Sequence, residues 1–455
     1  MSEPRLDAHG IATSVATGET TAVQIAEAAL DRIAAAAALN AVVTINPVQT
    51  LADADAVDRR RASGETMPLA GVPIVVKDNI WVGGWRVTQG SRLFADFVAP
   101  QDAIAVERLR KAGAVIVGIG ATSEFACKGV TTSPLFGPTR HPRKEDLTPG
   151  GSSGGPAAAV SAGLVPLAIG TDAGGSIRRP PAHVGVVGFK PSYGAIPYGP
   201  GFGEPASGVS VIGPIATSVA DIVLAFESMA GLDPRDPDSA GIAIDDGELD
   251  GLRVAYSPRL GMDVAVDQIV ENGVASAVER LTAAGFQIVR RDPVWPTGAS
   301  EEAIMPLQHA GLAALYGQSF RHDPTIFDPD IARQIEHGLS RTGLEVATAS
   351  LASAAIANAF AAFLCDVDLL LTPTVPCVAW PLDQPGPTTI GGKTAGPRGH
   401  AVFTPFVNHA RLPAISIPCG SDPGGLPFGL QLIAGRGRDR RLLKAARRIE
   451  MILAT

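Results

Sequence analysis

Cysteine is scarce, and the four present, Cys127, Cys365, Cys377 and Cys419, lie far apart and form no C-x-x-C pair. That spacing argues against a disulfide framework or a structural zinc site, and predicts reduced thiols in a cytoplasmic setting. Histidine is sparse too: none of the 8 stands in H-x-x-x-H or H-E-x-x-H spacing, so no metal and no other cofactor is expected. Basic charge is in deficit, with 37 Lys and Arg against 45 Asp and Glu and a formal net charge of -8. Phosphate binding needs a positive surface, so no nucleic-acid partner is expected. No run of about eighteen uncharged apolar residues stands out, which predicts no membrane span. The start, Met1-Ser-Glu-Pro-Arg-Leu-Asp-Ala-His-Gly, lacks an apolar signal core. Aromatic residues supply only 5% of the chain, so its core must be built from small and aliphatic side chains.

What is abundant is apolar residues, at 46%, and glycine and proline, at 51 and 37 residues without a repeat period. This suits a globular enzyme with many loops. A length of 455 residues would allow two or three domains. No linker with a composition break interrupts it, however, and the reading is a single domain over 1–455. Residues 1–65 read as helical, with a capping-box pattern at Thr21-Ala-Val-Gln24 and a short β-rich run at 41–45. Strands and helices alternate through 66–235. A strand over 72–76 leads into Lys77, Asp102 caps a helix through Lys111, and strands follow at 114–117, 165–169 and 184–189. Alternation of this kind predicts an α/β fold, a central twisted mixed β-sheet flanked by helices on both faces. Residues 290–345 read as a helical insertion. The Pro/Gly-rich segment 375–400 is too long for an ordinary connection and reads as an active-site loop. Late strands at 412–418 and 429–433 precede a closing helix over 440–453.

Three places carry chemistry. In Ile169-Gly-Thr-Asp-Ala-Gly-Gly-Ser176 a serine follows a buried strand and a glycine-dense turn. Such a turn lets successive N–H groups converge as an anion-binding nest. Read so, Ser176 is a nucleophile, and the N–H groups of Ala173, Gly174, Gly175 and Ser176 form an oxyanion hole. Read alone, the same loop could be a turn with a capping serine. Gly150-Gly-Ser-Ser-Gly-Gly155 matches G-x-S-x-G at Ser152, but the polar, proline-containing Arg143-Lys-Glu-Asp-Leu-Thr-Pro149 before it fails the strand context of a nucleophile elbow. Lys77, at a buried strand end, can serve as a base if desolvation strips its proton, or can snorkel and pair with Asp78. Val117-Gly-Ile-Gly-Ala-Thr-Ser123 falls short of a dinucleotide fingerprint. The basic C-terminal run from Arg436 to Arg448 reads as a solvated helix face, and His183 as a packed residue.

Taken together, Gly71-Val-Pro-Ile-Val-Val-Lys77-Asp-Asn79, the Ser152 loop and Gly174-Gly175-Ser176 resemble the amidase signature family. The resemblance is strong over 65–235 and moderate over 365–435. It implies an amidohydrolase of linear amides with a Ser–Ser–Lys triad, Ser176 attacking, Ser152 relaying protons and Lys77 as base. It also implies a non-proline cis peptide before Ser152. A substrate pocket is expected to draw on Trp81, Phe125, Ser153 and Trp380. In the amidase subunit of the glutamine-dependent tRNA amidotransferase an aspartate usually precedes the aromatic-Thr pair found here as Phe403-Thr404. This chain has Ala401-Val402 there, and Ser210-Val211 where that subunit has Asp-Gln. Both departures point to a stand-alone amidase for small aliphatic or aryl amides, with anilides, carbamates and esters in reach. The expected partner is then a small-molecule amide, in a monomer or homodimer. The alternatives are the amidotransferase subunit itself and an idle, partner-dependent scaffold.

Overall fold

The computed structural model describes residues 7–206, 208–242, 249 and 251–454. Among them an eleven-stranded sheet runs through the molecule. Its strands are β1 (Val42–Thr44), β2 (Pro73–Lys77), β3 (Val115–Gly120), β4 (Leu167–Asp172), β5 (Val187–Lys190) and β6 (Val211–Ala216). They continue with β7 (Val254–Tyr256), β8 (Ile288–Arg290), β9 (Leu369–Pro373), β10 (Ala414–Ser421) and β11 (Pro427–Ile433). Across the sheet the order is β1-β3-β2-β4-β6-β5-β10-β11-β9-β7-β8. β2 is parallel to β3 and β4, and β7 to β8 and β9, while the remaining pairs are antiparallel. The fold is thus a mixed α/β sheet flanked by helices.

Strands β2, β3, β4, β6, β9 and β11 are buried along their whole length. Their near-continuous Val, Ile and Leu runs follow from having both faces covered. The covering helices obey local rules. Thr21 accepts from Gln24 N, and the Gln24 side chain returns to the Thr21 N–H, so the capping box opens the helix Ala22–Ala35. Asp102, by contrast, does not cap the helix Ile104–Lys111. Ala103 occupies the N-cap, and the Asp102 carboxylate accepts from Gly83 N at 2.7 Å and pairs with Arg110.

Helices Pro329–Ser340 and Gly343–Phe363 each pack on Glu301–His322 and form the insertion with it, which runs beyond residue 345. The stretch 375–400 holds a small two-stranded pair, Thr389–Ile390 with Lys393–Thr394, and leads into the turn Gly399–Ala401. One helix among the described residues, Gly343–Phe363, is long and apolar enough to cross a membrane, with mean hydropathy 1.6. Ala, Ser and Thr dilute its Leu and Phe, which is why it does not stand out as an apolar run in the sequence.

Candidate active site

β2 and β4 are parallel neighbours with Val76 opposite Ile169, so Lys77 and the turn after Asp172 emerge at one sheet edge. This is the carboxyl-end position where open α/β sheets build their sites. Ser152 reaches the same edge from the start of helix Gly154–Ser161, which is buried on nearly every side. Glycine is what allows that approach. A Cβ on Gly155 would lie 2.3 Å from Ala121 N, and one on Gly151 would lie 2.7 Å from the Val130 backbone. The Gly151–Ser152 peptide is cis. Thr131 ties the loop down, accepting from Gly154 N and donating to Gly150 O, both at 2.9 Å.

These elements bring the three residues together. Lys77 Nζ donates to Ser152 Oγ at 2.8 Å, and Ser152 Oγ donates to Ser176 Oγ at 3.0 Å. Lys77 and Ser152 are fully buried and Ser176 is 6% exposed. Burial lowers the Lys77 ammonium to about 7, with Asp172 acting in the opposite direction. Two residues not anticipated from sequence aim the lysine. Thr171 Oγ1 accepts from Lys77 at 2.8 Å and from Asn79 Nδ2 at 3.0 Å. Thr171 stands inside the glycine-loop motif and Asn79 two places after Lys77, so adjacency was the available signal.

The turn before Ser176 is shaped by Asp172. Burial works against its charge, but Arg178, by charge and by hydrogen bonds at 2.9 and 3.0 Å, holds it well below the usual carboxylate range. Arg178 in turn donates to Gln431 at 2.8 Å. Asp172 Oδ1 also accepts from Gly175 N at 2.6 Å, so that N–H is not free for a substrate oxygen. The oxyanion set expected from sequence is therefore reduced to the N–H groups of Ala173, Gly174 and Ser176. Thr404 Oγ1 fixes the turn from the other side through Gly174 O at 2.7 Å.

Of the expected pocket residues, Trp81 and Phe125 belong to one aromatic cluster, joined through Phe202, Phe94 and Tyr316, while Ser153 and Trp380 have other partners. Ser153 is beside the relay and donates to Thr171 O at 3.3 Å. Trp81 packs on Phe97 and Phe202. Phe125 stacks on Tyr316 at 3.9 Å, whose hydroxyl accepts from Gln89. Trp380 is buried against His183 and His400. His183 is fully buried, neither ring nitrogen is hydrogen-bonded among the described residues, and burial lowers it to about 3. A narrow cavity opens instead on Ala173 and Gly174 and is lined further by Glu301, Ile304, Gln308 and Arg398. Among the described residues no group of three His, Cys, Asp or Glu side chains is arranged to hold a metal ion.

A family model for amidases matches residues 24–443. The A subunit of the glutamyl-tRNA(Gln) amidotransferase of Deinococcus deserti is 38% identical, over 98% of this chain and 96% of its own. That of Deinococcus radiodurans is 37% identical over 97% and 96%. A solved structure of a vestigial protein complex, described as revealing the evolutionary origins of an s-triazine catabolic enzyme, has a chain with TM-score 0.89 and 29% identity. It covers 99% of this chain and 98% of that one. The A subunit of the glutamyl-tRNA(Gln) amidotransferase from Thermotoga maritima superposes with TM-score 0.74 at 26% identity, over 94% of this chain and 91% of that one.

These relatives overturn the expectation of a stand-alone amidase for small aliphatic or aryl amides. They also overturn that of a monomer or homodimer without nucleic acid, because the curated relatives are subunits of a tRNA amidotransferase. The departures at Ala401-Val402 and Ser210-Val211 carry less weight than motif comparison gives them. An acid missing from one loop can be supplied from another element, and Glu301 enters the cavity from the helical insertion. With the family matched over nearly its whole length, the chain belongs to the amidases and is an enzyme acting on linear amide carbon–nitrogen bonds.

Proposed function

We propose that this chain is the amide-hydrolysing subunit of an assembly of the glutamyl-tRNA(Gln) amidotransferase type, with Lys77, Ser152 and Ser176 as its catalytic relay. The observation that carries this is 38% identity to such a subunit across nearly the whole of both chains. The hydrogen-bonded line from Lys77 through Ser152 to Ser176 supports it chemically.

In the neutral state of Lys77 the relay runs toward the amine. Ser176 Oγ attacks the amide carbon, its proton passes to Ser152, and the Ser152 proton passes to Lys77 Nζ. The N–H groups of Ala173, Gly174 and Ser176 receive the developing oxyanion. When the C–N bond breaks, the proton returns along the same line to the leaving nitrogen. An acyl-enzyme on Ser176 and a molecule of ammonia result, and water then releases the acid by the same relay. A buried lysine lowered to about 7 can take that proton near neutrality, which an exposed one cannot.

The test is purification of the tagged chain from its own organism. Companion subunits should co-purify, and the complex should convert glutamyl-tRNA(Gln) to glutaminyl-tRNA(Gln) with glutamine as donor, an activity lost in Ser176→Ala. Recovery of the chain alone, releasing ammonia from amides without any transfer to charged tRNA, would overturn the assignment.

A further inference from the structure

We infer that His400 is a positioning residue for amide hydrolysis: its imidazole joins the loop that carries Ser152 to the turn that carries Ser176, and so holds the two serines at proton-transfer distance. This rests on the amide-hydrolysis reading above and adds the 375–400 segment to the frame of that site.

His400 stands at the end of that segment and is buried. On the Ser176 side its Nδ1 lies 2.8 Å from Arg179 Nη1. A guanidinium only donates, so the imidazole accepts at Nδ1 and carries its proton on Nε2. Burial, and next the charge of Arg179, hold the ring well below the usual histidine range, which keeps it an acceptor. Among the described residues this is the hydrogen bond that the Arg179 side chain makes, and its buried Nε has none. Arg179 opens the short helix Arg179–Val184 and lies against the turn, where a Cβ on Gly175 would be 2.7 Å from Arg179 Nε. Its backbone N–H also donates to Gly175 O, at 2.8 Å. Holding the guanidinium therefore holds the turn.

On the Ser152 side the same ring lies on Gly129. A Cβ there would be 2.1 Å from His400 Cε1 and 2.3 Å from Nε2, so glycine is what lets the imidazole in. The residues that follow brace the relay loop: a Gly151 Cβ would be 2.7 Å from the Val130 backbone, and Thr131 Oγ1 holds Gly150 O and Gly154 N, both at 2.9 Å. Trp380 completes the seat. Its ring centroid is 5.0 Å from that of His400, and its carbonyl accepts from Thr148 N at 3.0 Å, at the start of the same loop. One imidazole thus meets both halves of a relay whose serines are 3.0 Å apart, yet among the described residues it makes no hydrogen bond to Lys77, Ser152 or Ser176. Slack of about 1 Å at either serine would break their hydrogen bond, and misplacement of that size costs about 10²-fold in rate.

The test uses the enzyme with whatever companions it carries. It reads kcat and KM for ammonia release from L-glutamine, and the rate at which phenylmethylsulfonyl fluoride modifies Ser176. In that modification Ser176 Oγ displaces fluoride from sulfur and its proton enters the relay, so the rate reports activation of the serine without any amide substrate. His400→Leu, similar in volume but without an acceptor, should lower kcat and the modification rate together by about 10–100-fold, with KM within about threefold of wild type. His400→Asn puts an amide oxygen near the position of Nδ1 and should recover at least about fivefold of that loss. Gly129→Ala displaces the ring from the other side with every hydrogen-bonding group still present. It should reproduce the loss, which decides the matter if His400→Leu does not fold. In His400→Ala/Gly129→Ala the new methyl has room, so the double variant should be within about threefold of His400→Ala alone. A wild-type modification rate in folded His400→Leu, equal rates for the Leu and Asn variants, multiplied losses in the double variant, or a raised KM with kcat unchanged would each overturn the role given to His400. If wild-type Ser176 is not modified at all, the amide-hydrolysis reading fails and the positioning role falls with it. If it is modified but glutamine is not turned over, the modification rates alone decide.

Discussion

At the scale of single residues, the proposed relay should act as a unit, and its members should fail as a unit. Ser176→Ala removes the only atom that can carry the acyl group and should lower kcat by about four orders of magnitude or more. Ser152→Ala and Lys77→Met each break the proton line, at 3.0 and 2.8 Å from their neighbours, and should cost about 10²–10⁴. Because either break stops the same transfer, the double variant should be within a few-fold of the worse single one, and a multiplicative loss would show that Ser152 and Lys77 act separately. The pH dependence follows from the same lysine. Burial lowers it to about 7, and in the proposed relay the neutral amine is the active form. The rate constant kcat/KM should therefore climb about tenfold per unit up to pH 7 and flatten above it. A profile that goes on rising toward pH 10 would mean that Lys77 retains the behaviour of an exposed amine.

At the scale of elements, the helix Gly154–Ser161 has to enter against β3 with almost no clearance, and Gly155 is the point of closest approach. Gly155→Ala places a methyl 2.3 Å from Ala121 N, with backbone rather than a flexible side chain in the way. Overpacking of this kind should destabilise by about 1–3 kcal/mol and displace Ser152, which urea denaturation and turnover would measure together. Glycine at such places is legible in the amino-acid sequence alone, and so are β2 running into Lys77 and the Thr21 capping box, because each is a local rule with a strong residue preference. Other elements are not. β6 contains Pro214 in mid-sheet, which reads as a strand breaker; it is tolerated because β5 pairs only with Ile215 and Ala216. The helix Gly343–Phe363 is so uniformly Ala-rich that no apolar stripe marks its buried side. Trp81, Phe125 and Trp380 are expected at the substrate from sequence, but their packing on Phe202, Tyr316 and His183 is not legible there, because nothing in a sequence says which aromatic faces meet each other. The pairing of Arg398 with Glu301 beside the turn is invisible for the complementary reason: tertiary packing alone brings the two together.

At the scale of the whole molecule, buried ionisable groups make the folded state sensitive to pH well away from the active site. Lys77 and Lys190 are both fully buried, and desolvation lowers both to about 7; for Lys190 the nearby Arg178 adds to it. In the unfolded chain a lysine titrates at about 10.4. Between these values the unfolded state holds protons that the folded state has released, so stability must rise with pH, on the order of 1 kcal/mol per unit for each group. Burial raises the thiols of Cys127 and Cys377. Unfolded thiols ionise near 8.5, so above about that pH the folded state is the one that retains protons, and these two groups pull stability down. Burial pushes the Cys419 thiol in the same direction, and because its side chain is partly exposed its share is smaller. The two trends have opposite signs and similar slopes. Stability should therefore climb from pH 7 to about 8.5 and then level or decline, rather than climbing on to pH 10. Urea midpoints under reducing conditions at pH 7, 8.5 and 10 measure this directly. Lys190→Met should flatten the first limb, because it removes a lysine that plays no part in the proposed proton relay; among the described residues its Nζ hydrogen-bonds only to Pro191 O, at 2.9 Å. If the midpoint falls from pH 7 upward in wild type, the two buried lysines keep their protons in the folded state, and a neutral Lys77 at the start of catalysis falls with that result.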